Sequence, residues 1–306
     1  MQPQKRLRRS SWLVAIGLLA AAAGCSRNSP VPAHDTPGEV RRIVSLSPSL
    51  TETIFLLGLG DRLVAVSTAD DYPPAVKHLP KAGTLNSPSV ETLLSLRPDL
   101  ILATELYPPG VERLIRNQGL NLLLLPQRDM NDVYTSILNI GEVTGAAEKA
   151  RQVVAELQQR EQAVTERTGK IPPEQRPRVF IEIQGKPLYT AGPASFLHDL
   201  VEKAGGRNVA SGLSQPYAEV SSEFVIESNP DFILIAHAYP GSEEEIRKSV
   251  SKRLGWTNIR AVREGNIICD IHPDHLVRPG PRLIRGLEEL AARLHPVQAQ
   301  ADKETK

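Results

Sequence analysis

Residues 89–104 read Ser-Val-Glu-Thr-Leu-Leu-Ser-Leu-Arg-Pro-Asp-Leu-Ile-Leu-Ala-Thr, and residues 221–236 read Ser-Ser-Glu-Phe-Val-Ile-Glu-Ser-Asn-Pro-Asp-Phe-Ile-Leu-Ile-Ala. Glu91 and Glu223 stand 132 positions apart (223 − 91), and so do Pro98 and Pro230 (230 − 98). Each copy predicts a short apolar helix, a Pro-Asp break and a buried strand. Solenoid units repeat every 20–50 residues or so, because each must stack on its neighbour. A spacing this long predicts two similar α/β lobes instead, and two lobes enclose a cleft.

The rest of the chain fits that division. At 306 residues it has length for two modest domains. Net charge is +1, with basic residues scattered beyond the N-terminus, which argues against a nucleic-acid surface. Lys5, Arg6, Arg8 and Arg9 precede an apolar run at 12–23, shorter than the roughly 20 helical residues a bilayer requires. The run ends Ala22-Ala23-Gly24-Cys25, which resembles a bacterial lipobox; residues 1–25 are read as a lipoprotein signal with Cys25 as the lipidated residue. The other cysteine, Cys269, lies in an apolar strand-like run and is read as an inert thiol.

Residues 26–40 carry Pro30, Pro32 and Pro37 and are read as a flexible tether. Strands at 42–46, 63–66 and 121–125, with the first repeat copy, make an N-terminal lobe over 41–130. Segment 131–170 carries no strand pattern. Its apolar positions Ala146, Ala150, Val153, Val154, Leu157 and Val164 recur at helical spacing without Pro or Gly. A helix of about 22 residues would extend about 33 Å and link the lobes. The C-terminal lobe covers 171–296, with strands at 179–183 and 266–270 and a helix capped by Ser195. Its last helix has one apolar face of Leu283, Ile284, Leu287, Leu290, Ala291 and Leu294. Residues 297–306 form a polar tail.

Five motifs occur in order: Arg42-Ile-Val-Ser-Leu-Ser-Pro-Ser-Leu-Thr-Glu52, Asp71-Tyr-Pro-Pro74, Arg97-Pro-Asp-Leu100, Ala204-Gly-Gly-Arg-Asn208 and Arg278-Pro-Gly-Pro-Arg282. Over residues 41–296 the chain resembles the periplasmic-binding family that serves ABC importers of vitamin B12, haem and iron-siderophores. The resemblance implies two Rossmann-like α/β lobes joined by a single long α-helix, with a ligand cleft between them. It also implies a lipid-anchored, extracytoplasmic, monomeric carrier without a cofactor. Its partners would be a permease dimer with ATPase subunits and a metal-chelate ligand, a corrinoid first, with haem, a ferric siderophore or an oxyanion as alternatives. In the family, acidic residues matching Glu91 and Glu223 dock on permease arginines. The residues agree with that role, since a helix preceding its strand begins at the edge where the strand's carboxyl end lies.

Ligands of α/β sheets meet the loops at the carboxyl ends of the strands. Those loops nominate Ser47, Ser49, Tyr72, Tyr107, Tyr189, His237, Tyr239, His272, His275 and Arg278 as ligand-binding residues, with Leu85 added as a position matched to the family's cobalamin binders and Tyr217 as a further aromatic surface. The tyrosines offer aromatic surface or a phenolate for haem iron. Where cobalamin binders of the family carry Trp or Tyr, the matching positions hold Ala69, Leu85 and Thr104. Asp270-Ile-His-Pro-Asp-His275 fits no zinc spacing and is read as a pocket loop without a dedicated metal site. Arg278 and Arg282 oppose the dipole of the last helix, which calls for a carboxylate or an acidic ligand beside them. Nucleophile-elbow, phosphate-loop and dinucleotide motifs are absent, so an enzyme is not expected. A chelatase-like enzyme and a purely structural lipoprotein are the readings of other classes.

Overall fold

The computed structural model describes residues 39–84, 86–105 and 108–296. Cys25, Leu85 and Tyr107, with the leader, the tether up to residue 38 and the tail at 297–306, lie outside the described residues.

The first lobe runs β1 (Ile43–Ser45), α1 (Pro48–Leu56), β2 (Leu63–Val66), α2 (Val90–Leu96), β3 (Leu100–Thr104), α3 (Pro109–Asn117) and β4 (Leu122–Leu125). Its strands form an all-parallel sheet in the order β2-β1-β3-β4. A parallel sheet is covered on both faces, which is why its strands read as unbroken apolar runs. Ile43, Leu100 and Leu102 pack on one side, while Val44, Ile101 and Ala103 join Leu93 and Ile115 on the other.

The chain then passes through α4 (Met130–Thr144) and α5 (Ala147–Thr168). The segment 131–170 thus holds the 22-residue helix that the spacing pointed to, α5, preceded by α4. Gly145 makes the break, with φ at 76° where a side chain would be strained. Gly141 lets the two helices close up, since a β-carbon there would come within 2.4 Å of the Ala150 side chain. The 22-residue α5 buries Ala150, Val153, Val154, Leu157 and Val164, the positions the spacing selected.

The second lobe comprises β5 (Arg178–Gly185), β6 (Leu188–Ala191), α6 (Phe196–Lys203), β7 (Arg207–Asn208), β8 (Tyr217–Glu219), α7 (Ser222–Ser228), β9 (Phe232–Ile235), α8 (Glu243–Ser251), α9 (Arg260–Arg263), β10 (Ile267–Ile268), α10 (Pro273–Val277) and α11 (Leu283–Leu294). Its sheet runs β10-β9-β5-β6-β8, with β7 also on β5. The pairs β9–β5, β10–β9 and β7–β5 are parallel, whereas β6 and β8 are antiparallel additions. The lobes thus share a parallel kernel without being copies. The loop expected after the strand at 266–270 contains α10, with Pro273 in its first turn and His272 capping it.

The repeated stretch is one structural device used twice. Ser89 and Ser221 each accept the backbone N–H three residues on, at 3.2 Å, capping α2 and α7. Arg97 and Asn229 end those helices in the left-handed region, at φ 46° and 40°. Asp99 then accepts the backbone N–H groups of Arg41 and Arg42 beside β1, and Asp231 accepts that of Arg178 at the start of β5. The Pro-Asp break therefore fastens the entrance of the neighbouring strand in each lobe.

One apolar cluster joins Leu102 and Leu125 of the first sheet, Val153 and Leu157 of α5, Leu287 and Leu290 of α11, and Ile181 of the second sheet. Arg160 of α5 clamps Glu288 of α11 at 2.8 and 2.6 Å. A core continuous through the linking helix resists hinge motion, because close-packed interiors transmit strain instead of yielding.

Candidate ligand cleft and docking rim

The motif residues of the two lobes meet in an ionic network. Glu52 of α1 is buried and accepts two hydrogen bonds from Arg282, at 2.8 and 2.6 Å. Asp274 of α10 pairs with Arg282 and with Arg278, both at 3.0 Å, and Arg278 reaches Asp71 of the first lobe at 2.6 Å. Burial pushes the Glu52 carboxyl above its ordinary range and outweighs the hydrogen bonds from Arg282. Burial also works against the charge on Arg282, but its hydrogen bonds to Glu52 prevail and its pKa rises. The Arg278 hydrogen bond holds Asp71 below the usual carboxylate range. The carboxylates answer the dipole problem that Arg278 and Arg282 posed in the sequence. Arg278 thereby ties the two lobes through Asp71, braced by Asp274 of its own lobe.

Ser47 and Ser49 sit at the same interlobe junction. Both are buried, and their hydroxyls bond each other at 3.0 Å, with Gln127 donating to Ser49. The 278–282 loop of the other lobe seals them off: a β-carbon on Gly280 would stand 3.0 Å from the Ser49 α-carbon. They are lobe-to-lobe packing residues and present no open surface to a ligand.

At the carboxyl ends of β5 and β9 lies a recess of about 650 Å³, lined by Gln184, Lys186, His237, Tyr239, Lys252 and Arg253, among others. Its frame is a buried triad. Glu182 of β5, wholly buried, accepts from Arg253 at 2.5 and 2.8 Å and faces His237 Nε2 at 3.2 Å. Burial would raise the Glu182 pKa, but these hydrogen bonds lower it. The same hydrogen bond to Glu182 raises that of His237. Arg253 lies over the Trp256 ring at 4.5 Å, and the Trp256 indole donates to Ser222 at 2.6 Å. Tyr239 bonds Ser249 through its hydroxyl at 2.6 Å, with its ring 5.5 Å from that of His237. His237 and Tyr239 thus stand together after the carboxyl end of β9.

The remaining candidates scatter. Tyr72 is 43% exposed, and Arg282 stacks on its ring at 4.1 Å. Tyr189 is half-buried in β6. Tyr217 packs edge-on against Phe196, and burial pushes its phenol up to about 12. His275 turns to Glu289 of α11 at 3.2 Å. His272 is exposed and accepts the Asp274 N–H, while Asp270 is held by Arg293. Among the described residues no three His, Cys, Asp or Glu side chains gather as metal ligands. Glu52, Glu182 and Arg253 were missed in the sequence. Glu182 had a signal, a charge inside a strand of buried apolar residues, which demands a partner. Glu91 and Glu223 are exposed in the first turns of α2 and α7.

A second groove, of about 420 Å³, opens beside α5, where Phe55, Leu56, Tyr72, Val153, Leu157 and Arg285 line it. It lies along helices α1, α5 and α11.

Two α/β lobes on a linking helix, with a recess at the strand ends, define a two-lobe solute-binding protein. The chain belongs to the periplasmic binding protein family, whose model matches residues 43–271. It is similar to the uncharacterized ABC transporter substrate-binding lipoprotein YvrC of Bacillus subtilis, 35% identical across 84% of this chain and 81% of that one. Among solved structures it is similar to the periplasmic vitamin B12 binding protein BtuF of Vibrio cholerae, at TM-score 0.75 and 27% identity over 85% of this chain and 98% of the other. A periplasmic heme binding protein from Pseudomonas aeruginosa gives TM-score 0.75 and 27% identity over 84% and 94%.

Proposed function

We propose that the chain is the extracytoplasmic solute-binding subunit of an ABC importer. It captures one metal-chelate ligand between its lobes, a corrinoid first, and hands it to a permease dimer with its ATPase subunits. The observation that carries this reading is the paired glutamates. Glu91 and Glu223 occupy the same turn of the same helix in both lobes and are exposed, an arrangement suited to two like permease subunits. Relatives of comparable similarity are named for vitamin B12 and for heme. Haem is the second reading. Ala69 and the buried Thr104 provide no aromatic plane for a corrin, while Tyr72 and Tyr239 keep ring surface near the strand ends.

The protein acts as a monomer and turns nothing over. Binding to the folded state raises stability by linkage, about 2.7 kcal/mol when ligand exceeds Kd a hundredfold. A saturable rise in melting temperature with a corrinoid, haem or a ferric chelate, with the ligand recovered unchanged, is the expected result. No rise across that panel would end the carrier reading.

Attachment is through lipid on Cys25. One acyl chain holds a protein to a bilayer only marginally, so anchoring takes several. Cys25→Ser should move the protein from the membrane fraction to the soluble one; unchanged fractionation and mass would rule out the anchor.

A further inference from the structure

The recess of the C-terminal lobe has a charge that its own fold does not balance. Lys186 follows β5 and Lys252 follows α8, and both line it beside Arg253 and His237. Glu182 is the one carboxylate recorded against these lining residues among the described residues, and it is spent on Arg253 and His237. Neither Lys186 nor Lys252 has a side-chain hydrogen bond or ion pair among the described residues. Even with His237 neutral, three cations face one carboxylate, an excess of two positive charges. Low-dielectric walls concentrate such a field toward the cavity. Tyr239 and Ser249 add hydroxyls at the same wall, already bonded to each other and able to reorient toward an acceptor.

The lysines are not needed to hold the recess open. The Glu182–Arg253–His237 triad, Trp256 and Ser222 do that, and Lys186 and Lys252 project from its edge as exposed side chains. Flexible ammonium groups over a rigid, hydroxyl-bearing wall suit an oxyanion whose position varies with the ligand that carries it. We propose that this recess receives an anionic substituent, a carboxylate or phosphate on the periphery of the chelate, and that Lys186 and Lys252 make the protein select chelates with free acid groups over neutral ones. This rests on the solute-binding reading above and deepens it from metal chelate to acid-bearing metal chelate.

The test uses matched pairs that differ only in charge: haem against haem dimethyl ester, and dicyanocobyrinic acid against its heptamethyl ester. Each is titrated calorimetrically into the mature protein and into the Lys186→Gln/Lys252→Gln variant. At least one acid should bind the wild type tenfold or more tightly than its ester, with the preference shrinking as salt is raised. In the variant the acid should lose about tenfold, one charge-assisted contact's worth, while its melting temperature stays near wild type. The pair that shows the preference distinguishes a tetrapyrrole carboxylate from a corrinoid one. Esters binding as tightly as acids, or a preference that survives in the variant, would overturn the proposal and leave the carrier reading standing. Binding of no member of either pair would overturn the proposal, and failure of ferric siderophores to bind as well would overturn the carrier reading with it.

Discussion

Changing Glu91 and Glu223 together to Ala is expected to abolish most uptake while leaving ligand affinity within a few-fold of wild type. Each carboxylate is exposed at the start of a short helix that its own serine caps, so its removal disturbs no core. Hydrogen bonds to a charged partner contribute about 1.5–3 kcal/mol each, or roughly ten- to a hundredfold per lobe. The double variant should therefore fall further than either single one, because one intact lobe still docks. Uptake and equilibrium binding measured on the same preparations decide the matter. Normal uptake, or affinity lost in proportion to uptake, would mean that the repeated glutamates serve the fold or the ligand instead.

The second large effect is expected at the interlobe pair. Arg282→Met leaves Glu52 buried beside Arg278, which is 3.7 Å away and already engaged by Asp71 and Asp274. Removing one partner of a buried ion pair costs about 3–5 kcal/mol, because the remaining charge has no water to return to. Arg282 is slightly open to solvent, so the lower end applies, about 3 kcal/mol. For a chain of this size that is a fall of roughly 6–12 °C in melting temperature. The pair variant Glu52→Gln with Arg282→Met should recover more than half of it, since no buried charge is stranded. Calorimetry of the three proteins checks this. A single variant as stable as wild type would show that the network is solvated and does not tie the lobes.

The two effects mark what the sequence revealed and what it withheld. The repeat was legible because it carries the same local chemistry twice: a serine cap, one buried apolar residue at Leu93 and Val225, and an aspartate that holds the next strand. The last helix was legible because its apolar face obeys helical spacing and is buried throughout. The ionic network was only half legible. Arg278 and Arg282 announced a need for negative charge, but their partners Glu52 and Asp71 lie more than 200 positions away, and no local pattern encodes that distance. The packing of Ser49 was illegible for the same reason, since the loop that covers it arrives from the other lobe. The basic recess is built from residues 184–186, 237–240 and 249–253, close enough to be named but assembled only by the fold.

The central claim is that one ligand sits between the lobes, at the carboxyl ends of both sets of strands. Amide hydrogen exchange with and without saturating ligand tests it most directly. The account predicts protection gained together at 68–72 in the first lobe and at 184–189 and 236–239 in the second, with 153–160 of α5 unchanged. Protection confined to one lobe, or centred on α5 and the groove beside it, would contradict it.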